Sequence, residues 1–164
     1  MVAGEADFAV SPKVKESDDI ESVPFDKVEM IPVIAKSLAK TMPSLQYKAL
    51  KQYPQIVVSQ SGDKANLQKR ETKGLVADSR KCFVTDHSLK HKMILNGFGW
   101  GRLPRNEIDK EIKKDLLVEI HDDNVKPFIL DLHVMRLKNK PMGPVARAVW
   151  AQLIKNASAK KKKR

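Results

Sequence analysis

Two histidines, His87 and His91, stand four residues apart in a stretch whose pattern predicts a helix. That spacing stacks two imidazoles on one helical face, where they could share a metal ion. A zinc-hydrolase pattern would need a glutamate directly after the first histidine, and Ser88 stands there instead. Lys90 and Lys92 add positive charge beside any ion. Two solvated histidines are the plainer reading, and no metal ligand set is assigned. His121 and His133 fall in or beside predicted strands and read as hydrogen-bonded edge residues. The single cysteine, Cys82, excludes an intramolecular disulfide and a cysteine-only zinc site. As a nucleophile it would need a group that stabilises its thiolate. Lys81 is next in sequence, but the two-residue period of a strand points it to the opposite face. Cys82 is therefore read as an inert core thiol, and neither a catalytic residue nor a cofactor is assigned.

Two polar clusters suit binding better than catalysis. Ser59, Gln60 and Ser61, with Gly62, follow an apolar run and so sit at a strand's carboxyl end. In open α/β sheets ligands bind beyond such ends. Thr85, Asp86 and His87 lie where a strand gives way to a helix, whose first amides and positive potential suit a carboxylate or phosphate. Ordinary capping by Asp86 is the competing reading. The run Gly97-Phe-Gly-Trp-Gly101 lacks the spacing of a dinucleotide fingerprint. Its alternating glycines would let the backbone pass close to a ligand or another surface. Trp100 between them is either a core plug or an apolar wall beside the polar clusters.

The elements that must position these residues follow from pattern. Short apolar runs alternate with helical periods, the signature of an α/β fold. Strands are expected at residues 6–10, 28–35, 55–60, 81–85, 98–103, 116–120 and 128–137, with Pro32 demoting the second to an edge or crossover. Residues 11–22 read as a loop. Helices are expected at 42–52, at 87–96 between Asp86 and Gly97, after Pro104, and at 144–156. In the third, Ile108, Ile112 and Leu116 repeat every four residues. In the last, Ala146, Val149, Trp150 and Leu153 form a stripe. Most strands are continuous apolar runs, which favours a sheet covered on both faces. With 164 residues, 41% of them hydrophobic, the chain can bury one sizeable core or two small lobes. No apolar run is long enough to span a bilayer, and residues 1–10 lack the pattern of a secretory signal, so no membrane partner is expected and a reducing cytoplasm is. Five of the net eleven positive charges sit in the terminal run Lys160 to Arg164, which gives sequence-independent attraction to polyanions at most.

Taken together, Phe83-Val-Thr-Asp-His-Ser-Leu-Lys-His-Lys-Met-Ile-Leu-Asn-Gly-Phe-Gly-Trp-Gly-Arg-Leu-Pro104 resembles the effector-binding domain of LysR-type transcriptional regulators. Gly4-Glu-Ala-Asp-Phe-Ala-Val10 is similar to that family's GE-x-D segment, and Asn139 to Trp150 to its closing loop and helix. The resemblance covers nearly all of residues 3–155 and implies a periplasmic-binding-protein-like (type II) fold of two lobes, the first incomplete. Residues 1–30 would be a remnant of the first lobe and 31–130 the second. Residues 131–157 would return to the first lobe with the last helix, and 158–164 would be a disordered basic tail. It implies a small effector, polar or anionic and conceivably a carboxylate, in the cleft between lobes. The contacts would come from Ser59, Gln60, Ser61, Thr85, Asp86 and His87, with Val10 and Ser11 as first-lobe rim and Trp100 as a wall. The family's helix-turn-helix is absent from this chain, so DNA would be reached only through such a domain. A first lobe short of strands would leave Val149 and Trp150 facing an open edge, which a homodimer would cover. A free-standing small-molecule or anion-binding protein, or a polyanion binder acting through the tail, is the alternative.

Overall fold

The structure is a computed structural model that describes residues 6–12, 18–58, 74–76 and 78–162. The chain falls into two compact units, residues 1–28 with 129–164 and residues 29–128. It passes from one to the other within β2 (Ile20–Ala35) and again at the start of β7 (Phe128–Leu137).

The second unit is built on the carboxyl half of β2. Its partners are β5 (Trp100–Pro104), antiparallel from Met30↔Pro104 to Ile34↔Trp100, and β6 (Leu117–Glu119), antiparallel from Val33↔Glu119 to Ala35↔Leu117. On the far side of β5, β3 (Gln55–Val58) and β4 (Lys81–Val84) run parallel to each other in the order β5-β3-β4. Residues Met30 to Ala35 are all buried because the sheet is covered on both faces. Ile31 and Val33 point to one face, with Ile56, Val84, Leu103 and Leu117, under Ile94 of α3 (His87–Leu95) and Ile108 of α4 (Arg105–Lys113). Ile34 and Trp100 point to the other, under Met42 and Leu50, with Val76, Ile120 and Val125. That second face is covered by the segment that carries α1 (Lys36–Ala39) and α2 (Tyr47–Leu50).

The first unit pairs β1 (Ala9–Pro12) antiparallel with β7, from Ala9↔Met135 to Pro12↔Leu132, and sets β7 beside β2. α5 (Pro144–Lys162) buries Trp150, whose ring stacks on Phe8 at 5.6 Å between centroids and 3° between planes. Arg136 covers the indole at 5.4 Å and pairs with Glu21 at 2.5 Å. The exposed pair Lys27–Asp131 at 3.2 Å adds little by comparison.

Several expectations shift for local reasons. The strand expected at 6–10 lies at Ala9–Pro12, so Ser11 belongs to a strand and not to a loop. β2 begins at Ile20, well before residue 28, and Pro32 is interior to it. The Pro32 carbonyl accepts from Ile120 N at 2.9 Å, just past the last β6 pair. A strand residue's nitrogen points the same way as its carbonyl, so the missing N–H falls where the β6 ladder ends. The helix expected at 42–52 is confined to Tyr47–Leu50 and stops ahead of Pro54. Leu116 is 48% exposed rather than in line with Ile108 and Ile112. Asp115 turns left-handed at φ 56° to close α4, and Leu116 N bonds Glu111 O at 2.9 Å. α5 continues to Lys162, beyond the 156 at which it was expected to end, since alanine and lysine favour helix and no stop residue intervenes. Trp150 is covered by Phe8 and Arg136, so of the pair expected at an open edge Val149 alone is exposed, at 43%.

The glycines of the 97–101 run each have a distinct use. Gly97 adopts φ 76° and ends α3, with Gly97 N on Ile94 O at 3.0 Å and Phe98 N on Met93 O at 3.1 Å. A side chain at Gly99 would collide with the Pro54 carbonyl oxygen, and one at Gly101 would sit 2.9 Å from both Ile56 O and Ile94 Cδ1. Their close approach is to a neighbouring strand. Gly99→Ala should therefore lower stability by about 1–3 kcal/mol, read from the urea midpoint; an unchanged midpoint would contradict this packing.

Candidate functional site

The strand-to-helix junction at residues 84–89 forms as its sequence dictates. β4 ends at buried Val84, and Thr85, Asp86 and His87 are all exposed. Asp86 is extended (φ −146°, ψ 166°) and its carboxylate accepts from Leu89 N at 2.8 Å, while Thr85 Oγ1 donates to it at 3.2 Å. The Leu89 amide holds the Asp86 carboxyl below the usual carboxylate range, with further help from Thr85 and the Ser88 amide. An anion seat on these amides is thus already filled by the protein's own cap. The junction offers instead a carboxylate, a hydroxyl and an imidazole, a set that suits a polar guest bringing donors.

The other candidates are placed as follows. Ser59, Gln60 and Ser61 lie outside the described residues, at the end of β3. Val10 (57% exposed) and Ser11 are on β1 of the first unit, opposite Val134 and His133. Trp100 is not a wall: it is fully buried, and its indole nitrogen donates to Leu50 O at 3.1 Å. The two-residue alternation of β5 turns it away from α3 and into the opposite core layer, which makes it the plug. His87 and His91 do not converge. His91 Nε2 faces Glu111 Oε1 of α4 at 3.7 Å, and His87 is exposed. His133 Nδ1 meets Ser22 Oγ at 2.8 Å, the edge role expected of it. Cys82 is half-buried and packs against the core layer under α3.

Three polar residues inside the second unit carry more than their sequence context signals. Gln55 donates to Gly74 O at 2.8 Å and accepts from Val76 N at 3.0 Å. Arg102 donates to the same Gly74 carbonyl and, at 3.3 Å, to Lys126 O, and its guanidinium lies 5.7 Å from the Phe128 ring. Lys90 is only 8% exposed. Gln55 opens an apolar strand and Lys90 and Arg102 read as ordinary surface charge, so no periodicity marks them as buried.

These observations suit a binding protein of α/β build with two chain crossovers. The LysR substrate binding domain family matches residues 2–158. The chain belongs to that family: it is an effector-sensing domain of the LysR-type regulator kind, with the periplasmic-binding-protein-like type II fold. Its structure is similar to full-length HypT from Salmonella typhimurium, a hypochlorite-specific LysR-type transcriptional regulator, with a TM-score of 0.66 at 20% identity over 96% of this chain and 54% of that one. The bromide-bound regulatory domain of HypT gives 0.69 at 19% identity, over 96% and 75%. Full-length LysG of Corynebacterium glutamicum with bound effector Arg gives 0.63 at 18%, over 94% and 52%. The chain thus spans about half the length of the full-length regulators, and at these identities the likeness speaks for the fold alone. No curated protein matches in sequence. No described helix is long and apolar enough to cross a membrane.

Burial pushes the Lys90 ammonium down from 10.5 to about 8, with the Arg102 charge adding to the effect. The unfolded chain therefore holds this proton in a pH range where the folded one has lost it. Stability should rise between pH 8 and 10.5, by about 3 kcal/mol if Lys90 acts alone. Below pH 8 the full cost of the buried charge remains. Urea midpoints across this range check it, and a Lys90→Met variant that keeps the same slope would refute it.

Proposed function

We propose that this domain senses a small polar effector for a transcription regulator and performs no catalysis itself. The observation that carries the reading is the family match over residues 2–158, joined to an exposed polar junction at Thr85, Asp86 and His87. The similar structures include the bromide-bound HypT regulatory domain and LysG with bound effector Arg, so small charged or polar guests are within the fold's reach. In this chain Asp86 already engages the amides of α3 and accepts the hydrogen bond of the Thr85 hydroxyl, so the guest is one that donates hydrogen bonds to the Asp86 carboxylate or the Thr85 oxygen and accepts from His87. Ser59, Gln60 and Ser61, which follow β3 in the sequence, are the further contacts this reading expects. The effector acts by population shift: it stabilises whichever conformation it binds more tightly, and a DNA-binding domain of the same regulator reads the change. The cytoplasm is the compartment this role requires.

A panel of amino acids, amines and small carboxylates tests the reading by thermal unfolding. One class should raise Tm in a concentration-dependent way. Thr85→Val should weaken that response at least about tenfold in concentration, the worth of one hydrogen bond to a buried polar guest. No response across the panel, or a response indifferent to Thr85, Asp86 and Ser59 substitutions, would overturn it.

A further inference from the structure

Residues 144–164 hold seven cations and no acid, so they supply +7 of the net charge of +11. Elsewhere acids are interspersed: Lys27, Lys36, Lys51, Lys126 and Lys140 each pair with an aspartate. Of this basic stretch, residues 144–162 form one continuous helix, α5. Its docking on the first unit is narrow: among its described side chains only Trp150 is buried, against Phe8 and Arg136. Arg147 and Lys155 are exposed, and neither pairs with an acid among the described residues. The helical period puts positions 147, 155 and 162 on one side of α5, in a row about 22 Å long. Lysine in a last turn suits the helix dipole, but that effect is confined to the turn and does not account for Arg147 or Lys155. Like charges a turn apart repel one another, which a facing polyanion would relieve.

We infer that α5 is a docking surface for the phosphate backbone of double-stranded DNA, held without regard to base sequence. Duplex DNA presents one negative charge per roughly 1.7 Å of axis, a continuous partner for a row of cations without acids. Two other polyanions fit less well. A helix that lies in a membrane surface needs large apolar side chains free to insert. The α5 tryptophan is instead buried in the first unit, and beyond Ile154 the sequence holds no apolar residue larger than alanine. A protein groove takes an amphipathic helix by apolar anchors spaced a turn apart, and residues 155–164 have none. The choice of DNA among polyanions rests on the regulator reading above. The contact gives the sensing domain a hold of its own on the duplex that the regulator's DNA-binding domain grips.

The test is fluorescence anisotropy of a labelled duplex of arbitrary sequence, titrated with the full chain. With about four phosphates neutralised, the wild type should lose roughly 150-fold in affinity between 50 and 200 mM salt. Lys155→Gln should lower the slope of log affinity against log salt by about one, and Lys160→Gln, Lys161→Gln, Lys162→Gln and Lys163→Gln together by about three. Both variants should keep the wild-type Tm and its effector-induced rise, so that failure here stands apart from failure of the effector reading. Affinity indifferent to salt, a slope unchanged in either variant, or tighter binding to phosphatidylserine vesicles or polyglutamate than to duplex at equal salt would overturn the proposal.

Discussion

The close approach of β5 to β3 governs the second unit. It exists because Gly99 and Gly101 carry no side chain where the Pro54 and Ile56 carbonyls pass. With those strands in contact, Trp100 N bonds Pro54 O at 3.1 Å and the Trp100 side chain is driven into one core layer. On the opposite face the vacancy at Gly101 is filled by Ile94 and Lys90 of α3. One strand thus places the aromatic plug on one side and seats a helix on the other. The junction at Thr85 to His87 is held in turn, because that helix cannot shift without losing Ile94 from the core.

Much of this was legible in the sequence where local chemistry alone decides. Asp86 before and Gly97 after the nine residues of α3 announce a capped helix, and the capping bonds are present. The apolar runs at 81–84 and 128–137 fold as strands for the same reason. Pattern failed where a neighbour decides. Nothing local reveals that Pro32 sits where a ladder stops, or that the helix suggested by the apolar spacing of Leu45 and Ala49 is confined to Tyr47–Leu50. Leu116 follows helical period in sequence but lies beyond a left-handed turn.

The junction at Thr85 to His87 was legible as a place in the fold, and less so as chemistry. The strand end and helix start lie at Thr85 to His87 as expected, and of the two readings weighed there, anion seat and ordinary cap, the cap is the one formed, on the very amides an anion would use. The buried cations were invisible for the converse reason. Lysine and arginine are taken as solvated by default, and only the packing of α3 over a glycine shows Lys90 to be enclosed.

β2 serves one hydrogen-bonded ladder with its first residues and two with its last, over 16 residues without a loop. Such an element behaves as a ruler. Inserting or deleting a single residue between Val23 and Ala35 would turn every later side chain inside out, sending Ile31 and Val33 to the layer built for Ile34. Changes in chain length are therefore tolerable in the connections around it and forbidden within it, so its length is as much a part of the fold's specification as its composition.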